Sequence, residues 1–340
     1  MGIKRHSEPR PLQLSKRANV FYLEHARVVQ QDDRIVYLTQ DGGEFEQMFN
    51  IPERNTAFLL LGKGTSITDA AMRRMAASNV MVGFCGTGGS PLFSVCDIAF
   101  MTPQSEYRPT EYMQAWAEMW FDPARRLEKA RSFLRRRAQM TAECWRENSY
   151  LQKLGIVLSD AVLERFHSDL EQAKDVQELL LAEARWAKRL YADLARGHGF
   201  SFVREEGARR STSKADVCNG FLDHGNYIAY GYAAVALCGL GISFAMPILH
   251  GKTRRGALVF DLADVVKDGY VMPLAFECAK EGETQKDFRQ RLIEHCQEED
   301  VLDFLFDFMK NLCVKKPHDI NVLHLARQNK TFKRIWNSIS

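Results

Sequence analysis

Between Gly225 and Leu249 the chain carries no charged residue. A run of that length either spans a bilayer or forms a helix buried on every side, and the second option needs a domain large enough to surround it. The run is rich in Gly and Ala, contains Asn226, Ser243 and Pro247, and is the only one of its kind in the 340 residues. Its direct continuation into a polar, charged segment fits burial. We expect a large α-helical domain built around it and no membrane span.

The polar segment runs His250-Gly-Lys-Thr-Arg-Arg-Gly-Ala-Leu-Val-Phe-Asp261-Leu-Ala-Asp264-Val-Val-Lys267. Asp261 and Asp264 are three apart, so a helical turn would stack them on one face, and Val265 and Val266 place that face at the start of something buried. A short turn and strand would return His250 to the pair. One imidazole and two carboxylates make half of a hard-metal site. Lys252, Arg254, Arg255 and Lys267 lie beside it, as expected of DNA-binding residues that hold adjacent phosphates.

A further carboxylate comes from the predicted helix over 175–196. Val176, Leu179, Leu180, Ala187, Leu190, Tyr191 and Leu194 follow the spacing of a buried stripe, and Glu183 falls on it. A carboxylate on an apolar face must be paired or metal-bound. It is either salt-bridged to an arginine of a neighbouring helix or the ligand that the half-site lacks. Glu183, His250, Asp261 and Asp264 together give three oxygens and one nitrogen, which suits Mn²⁺ or Mg²⁺ better than a structural zinc. Such an ion serves phosphoryl transfer.

The rest of the chain divides in two. Ala18–Leu23, Ala26–Val29, Ile35–Thr39, Ala57–Leu61 and Val80–Phe84 read as strands, with a helix over Thr68–Ala77 capped by Ser66 or Thr68. The composition shifts at 103–110, a predicted linker with Pro103 and Pro109. From Thr110, a predicted N-cap, helices dominate: Glu111–Trp120, Pro123 to about Asn148, Ser159–Leu170, and after the Asp pair Leu274–Lys280, Gln285–Glu298 and Val301–Val314. The fold class is therefore α+β: a β-rich domain over 1–102 and a larger all-α domain over 111–340. The Gly-rich turns at 61–66 and 83–91 fail the phosphate-loop patterns, as does the Gly251-Lys252-Thr253 run. Pro91 and Met246 stand where glycines belong, and the Gly-rich segments read as tight turns.

A formal net charge of +3 does not by itself argue for nucleic acid. Its segregation is more informative: residues 125–137 hold six Arg and one Lys against one Glu, and that helix with the basic loop at 204–214 would extend a track for DNA or RNA. The eight cysteines show no zinc spacing and read as reduced thiols of a cytoplasmic protein. The N-terminal residues MGIKRHSEPRP lack the apolar core of a signal peptide, and His6 stands at the position a myristoylation signal fills with Ser or Thr.

Four stretches carry a resemblance: LLAEARWAKRLYADLA around Glu183, NGFLDHGNYIAYGYA from Asn219, LHGKTRRGALVFDLADVVKD from Leu249 and TPQSEYRPTEY from Thr102. The chain resembles the CRISPR-associated spacer-acquisition endonuclease/integrase family ("Cas one"), and LLLGKGTSIT and VGFCGTGGSPLF resemble its type I-F branch. The resemblance matches the metal tetrad at Glu183, His250, Asp261 and Asp264. It also matches a basic residue at Lys267 and an asparagine, Asn219, ahead of the long apolar helix. It implies a homodimer formed by the β-domain and a metal-holding α-domain. The implied reaction is attack by the 3′-hydroxyl of a captured DNA fragment on a repeat phosphodiester. The implied partners are DNA and a small ferredoxin-fold protein fused to a helicase-nuclease. A hydrolytic metal nuclease and a non-catalytic DNA-binding scaffold are the alternatives.

Overall fold

The computed structural model describes residues 16–40, 46–85, 110–205, 213–251 and 256–313. These fall into two compact units, one up to residue 85 and one from residue 110. The fold is α+β, with the strands and one α-helix within 19–84 and only helices after them among the described residues.

In the first unit the strands are β1 (Asn19–Leu23), β2 (Ala26–Gln31), β3 (Arg34–Gln40), β4 (Glu46–Ile51), β5 (Thr56–Leu61), β6 (Ser66–Ile67) and β7 (Met81–Phe84). β1, β5 and β7 form a parallel sheet; a second sheet has the order β4-β3-β2-β6. β5, the apolar run Thr-Ala-Phe-Leu-Leu-Leu, is buried at every position, as a central parallel strand covered on both faces must be. Helix α1 (Asp69–Ala77) starts at Thr68, whose hydroxyl accepts from the Ala71 N–H, and its Ala71 and Met75 close the core over Val28, Ile35, Ile51 and Leu59. The turn at 61–66 is tight: Gly64 takes φ 69° and Thr65 Oγ1 donates to the Gly62 carbonyl at 2.6 Å.

The second unit contains α2 (Glu111–Trp120), α3 (Pro123–Glu147), α4 (Ser149–Lys153), α5 (Asp160–Gln172), α6 (Val176–His198), α7 (Lys214–Gly239), α8 (Ala257–Val266), α9 (Met272–Glu281), α10 (Gln285–Glu298) and α11 (Val301–Cys313). Side-chain caps begin several of them: Asp122 with Pro123 at the first position of α3, Asp175 for α6, Ser213 for α7, and a Thr284–Asp287 capping box for α10. Thr110 stands before α2 with helical dihedrals, and its side chain makes no capping bond.

The uncharged run is largely buried up to Leu240, but its helix is displaced from the expected span. α7 begins at Lys214 and stops at Gly239, and Gly241 (φ 69°) turns the chain into irregular structure for the rest of the run. α8, α9, α10 and α11 all pack on α7, which explains why it needs no polar face. Among the described residues no helix is long and apolar enough to cross a membrane. At Gly225 a β-carbon would come within 2.4 Å of Val271 Cγ1, so glycine permits the close packing of α7 on the segment after α8.

That segment, Lys267–Val271, is a π-helical turn joining α8 to α9. Pro273 near the start of α9 explains it, because proline lacks an N–H and its ring crowds the preceding turn, which the wider turn relieves.

Candidate metal centre

The last part of the uncharged run ends at His250, and tryptophans of α2 fix its path. Trp116 Nε1 donates to the Met246 carbonyl at 3.2 Å, and Trp120 Nε1 to that of Pro247 at 2.7 Å. Gly256, in the left-handed region at φ 72°, then opens α8, so Asp261 and Asp264 are carried on a helix. The return from His250 uses no strand among the described residues.

Asp261 organises the end of that loop. Its Oδ2 accepts from the Ile248 and Leu249 N–H groups at 2.7 and 3.1 Å, and its Oδ1 accepts from the His250 N–H at 3.1 Å. His250 Nδ1–H donates to the same Oδ1 at 2.7 Å. A ring held this way presents Nε2 as its open nitrogen, the arrangement in which a carboxylate orients a ligating histidine.

Glu183, His250 and Asp264 converge. Each offers one ligand atom, and these atoms lie within 4.8 Å of one another. His250 Nε2 is 3.7 Å from Glu183 Oε2. Two carboxylate oxygens and an imidazole nitrogen, with no sulfur, form a donor set that fits Mn²⁺ or Mg²⁺. Asp261, expected as a fourth ligand, is parted from this group because both its oxygens already face the 248–250 backbone and His250.

Two cations, Arg137 buried and Lys267 partly buried, lie against the triad. Lys267, expected at a phosphate, is partly buried: its ammonium pairs with Asp264 and sits 5.2 Å from the centre of the Tyr230 ring. Arg137 of α3 pairs with Glu183, and its Nη1 is 3.8 Å from Asp264 Oδ2. Its Nε and Nη2 donate to Asp268 at 2.6 and 3.1 Å. Asp268 is in turn held by Trp186 Nε1 at 2.9 Å, and its carbonyl accepts from Trp145 Nε1 at 2.9 Å. Lys252, Arg254 and Arg255 lie outside the described residues.

The electrostatics follow from this packing. Burial raises the Glu183 carboxyl, opposed by Arg137, and the balance leaves it above the ordinary value. Burial also pushes Asp264 up, but Lys267, then Arg137 and His250, outweigh it and hold the carboxylate low. For His250 burial acts downward; the bond to Asp261 and the charges of Asp264 and Glu183 prevail and raise it. In the metal-free protein a protonated His250 therefore contributes stability that is complete below about pH 6.5 and lost as pH rises through the raised value. A metal at Nε2 must displace that proton. Mn²⁺ affinity is expected to rise with pH through this window, with proton release detected as a buffer-dependent calorimetric enthalpy. An affinity that stays flat between about pH 6 and 8 would remove His250 from the ligand set.

Asp261→Asn is expected to weaken Mn²⁺ binding by about 10–100-fold, the usual effect of losing the partner that orients a ligating histidine. Calorimetric titration checks this; an unchanged dissociation constant would show that the ring needs no carboxylate.

The arginines of α3, expected to extend a track for nucleic acid, each have partners within the protein. Arg131 donates to the Leu170 and Ala173 carbonyls, Arg135 pairs with Glu128 and Glu171, and Arg136 pairs with Glu143 and lies against the Phe304 ring. Arg126 lies over the Trp120 ring, and Arg125 is 3.6 Å from Glu118. Of the 204–214 loop, Arg204 pairs with Asp223 at 2.7 Å, and 206–212 lie outside the described residues. Asn219, within α7 and not ahead of it, accepts from the Glu205 N–H and donates to the Val203 carbonyl, fastening the start of that loop.

Sequence reasoning missed Arg137 and Asp268. The signal for Arg137 was present: Ala130, Phe133, Leu134, Ala138 and Thr141 form the buried stripe of α3, and Arg137 falls on it. Asp268 stands four residues after Asp264 and so on the same helical face.

Fold and cluster together define a protein with a helical domain that carries a candidate divalent-metal centre. Residues 20–300 match the profile of the family described as CRISPR associated protein Cas1, and the chain belongs to that family. It is 46% identical over 315 residues to the CRISPR-associated endonuclease Cas1 of Pseudomonas aeruginosa (strain UCBPP-PA14), covering 90% of this chain and 96% of the relative. Identity to the CRISPR-associated endonuclease Cas1 of Pectobacterium atrosepticum is 41% over 312 residues, covering 88% and 94%. Among solved structures, a casposase bound to integration product shares the fold with a TM-score of 0.70 at 15% identity, over 88% of this chain and 91% of that one.

Proposed function

We propose that this protein is a metal-dependent DNA endonuclease and integrase that inserts new spacers into a CRISPR array. The 3′-hydroxyl of a DNA fragment attacks a repeat phosphodiester, so that one P–O bond forms as another breaks. The observation that carries this reading is the convergence of Glu183, His250 and Asp264 on one small volume, in a chain 46% identical to a Cas1 endonuclease. The casposase that shares this fold was captured with its integration product, which supports strand transfer over simple hydrolysis.

Glu183, His250 and Asp264 would hold a Mn²⁺ or Mg²⁺ ion. Such an ion, when bound, polarises a phosphoryl oxygen and offsets charge on the leaving oxygen. Asp261 keeps His250 in the tautomer with Nε2 open, and Lys267 holds one oxygen of Asp264. Lys252, Arg254 and Arg255, two to five positions after His250 in the chain, are proposed to contact DNA phosphates. The β-rich unit is proposed to form the homodimer, supported by exposed Met48 and Phe49 on edge strand β4. A ferredoxin-fold partner fused to a helicase-nuclease, type I-F membership and a cytoplasmic site of action belong to the same reading. Burial pushes the Cys144 and Cys313 thiols up to about 12, which keeps them protonated, as in reduced, unreactive cysteines.

The scaffold reading has one observation in its favour, the Glu183–Arg137 ion pair, since a carboxylate paired with arginine needs no metal. A branched DNA resembling a half-integrated spacer separates the readings. With Mn²⁺ or Mg²⁺ and not with chelator, wild type is expected to reseal the continuous strand and release the branch, and His250→Ala is expected to do neither. Shortened strands without joined product would favour hydrolysis, and DNA binding without chemistry would favour the scaffold.

A further inference from the structure

Glu183 has to be held before it can serve as a ligand, because its side chain has three rotatable bonds and ordering them opposes binding. The structure shows what holds it. Arg137 Nη1 takes Glu183 Oε1, and the other oxygen, Oε2, is left facing His250 Nε2. The two other nitrogens of the guanidinium, Nε and Nη2, are locked on Asp268 in a two-bond fork. Asp268 is fully buried, in the π-helical turn, and Trp186 Nε1 fixes its Oδ2. Trp186 lies three residues after Glu183 on α6, so one face of that helix contributes both the carboxylate to be held and the anchor of the group that holds it.

We propose that Arg137 is a positioning residue for the metal centre, clamped by Asp268 and Trp186 so that Glu183 presents a single oxygen to the ion. This rests on the metal-centre reading of Glu183, His250 and Asp264. A merely structural ion pair would join two helices; this one ends on a triad carboxylate. Arg137 is nearly fully buried, contacts Asp268 through two nitrogens and Glu183 through a third, and is 3.8 Å from Asp264. No single-point cation reproduces three contacts in one plane.

The test is Mn²⁺ affinity by calorimetric titration on the full chain, in parallel with melting in chelator. Arg137→Met/Asp268→Asn removes the guanidinium together with the charge of Asp268, leaves Glu183 facing His250, and keeps an acceptor for Trp186 Nε1. It is expected to weaken Mn²⁺ binding by about 10–100-fold, the range for residues that support metal ligands. Arg137→Lys keeps the charge in case the double variant does not fold, and is expected to weaken binding by about 10-fold. Trp145→Phe removes a buried hydrogen bond to the Asp268 carbonyl and leaves the contacts of the Asp268 carboxylate with Arg137 and Trp186 in place. It is expected to melt at a lower temperature and bind Mn²⁺ as wild type does. Wild-type affinity in the folded Arg137 variants, or an equal loss in Trp145→Phe, overturns the proposal. A wild type that binds no Mn²⁺ removes the metal reading itself, and the proposal with it.

Discussion

Asp264→Asn is expected to lower metal-dependent strand joining by on the order of 10³-fold, the scale on which removal of one preorganised electrostatic partner acts. The substitution is nearly isosteric, so it changes charge more than shape. Asp264 is held low by Lys267, Arg137 and His250, and an anion kept in that state in a buried site is a strong partner for a divalent cation. The proposed DNA contacts at Lys252, Arg254 and Arg255 are untouched, so the loss should fall on turnover at saturating metal and leave KM for DNA nearly unchanged. Single-turnover assays on branched DNA across a Mn²⁺ titration measure both. Lys267 loses its carboxylate in this variant, so circular dichroism below the melting temperature must accompany the kinetics. Activity within about threefold of wild type would remove Asp264 from the chemistry.

Asp268→Ala is expected to be the most damaging single change to stability. It leaves the Arg137 guanidinium buried without its two-bond partner, and breaking such a pair from one side destabilises by about 3–5 kcal/mol. At about 2–4 °C per kcal/mol for a domain of roughly 200 residues, the melting temperature should fall by about 10 °C. Trp186 Nε1 loses its acceptor at the same time. Neutralising both partners in Arg137→Met/Asp268→Asn should destabilise less, because no guanidinium is left buried without Asp268 and Glu183 still faces His250. Thermal melts in chelator decide it. A fall of under about 2 °C in Asp268→Ala would mean that Glu183 and Asp264 alone satisfy Arg137.

The β-then-α order was legible because strands and helices announce themselves locally. β5 reads as a continuous apolar run and proved buried throughout, and α2 spans the residues its spacing predicted. The extent of α7 was not legible, since a helix buried on all sides has no amphipathic period by which to find its ends. Glu183 was legible as an anomaly, and the salt bridge to an arginine of a neighbouring helix, one of its two readings, is present beside the triad. The basic run of α3 concealed Arg137 for a related reason. Composition counts six arginines alike, whereas position on the helix turns Arg137 inward.

By itself the sequence determined which residues had to find partners: an acid on an apolar stripe, a histidine and two aspartates beside an uncharged run, and an arginine on a buried face. Only the tertiary structure decided the pairing. Arg137 meets Glu183 across 46 positions and Asp268 across 131. Asp261 turns to His250 while Asp264 turns to Lys267 and Arg137, although the two aspartates share a helix. Charges carry no address along a chain. Which cation compensates which carboxylate is settled by the packing of α3, α6 and α8, because burial leaves each group only the partners that packing brings within reach.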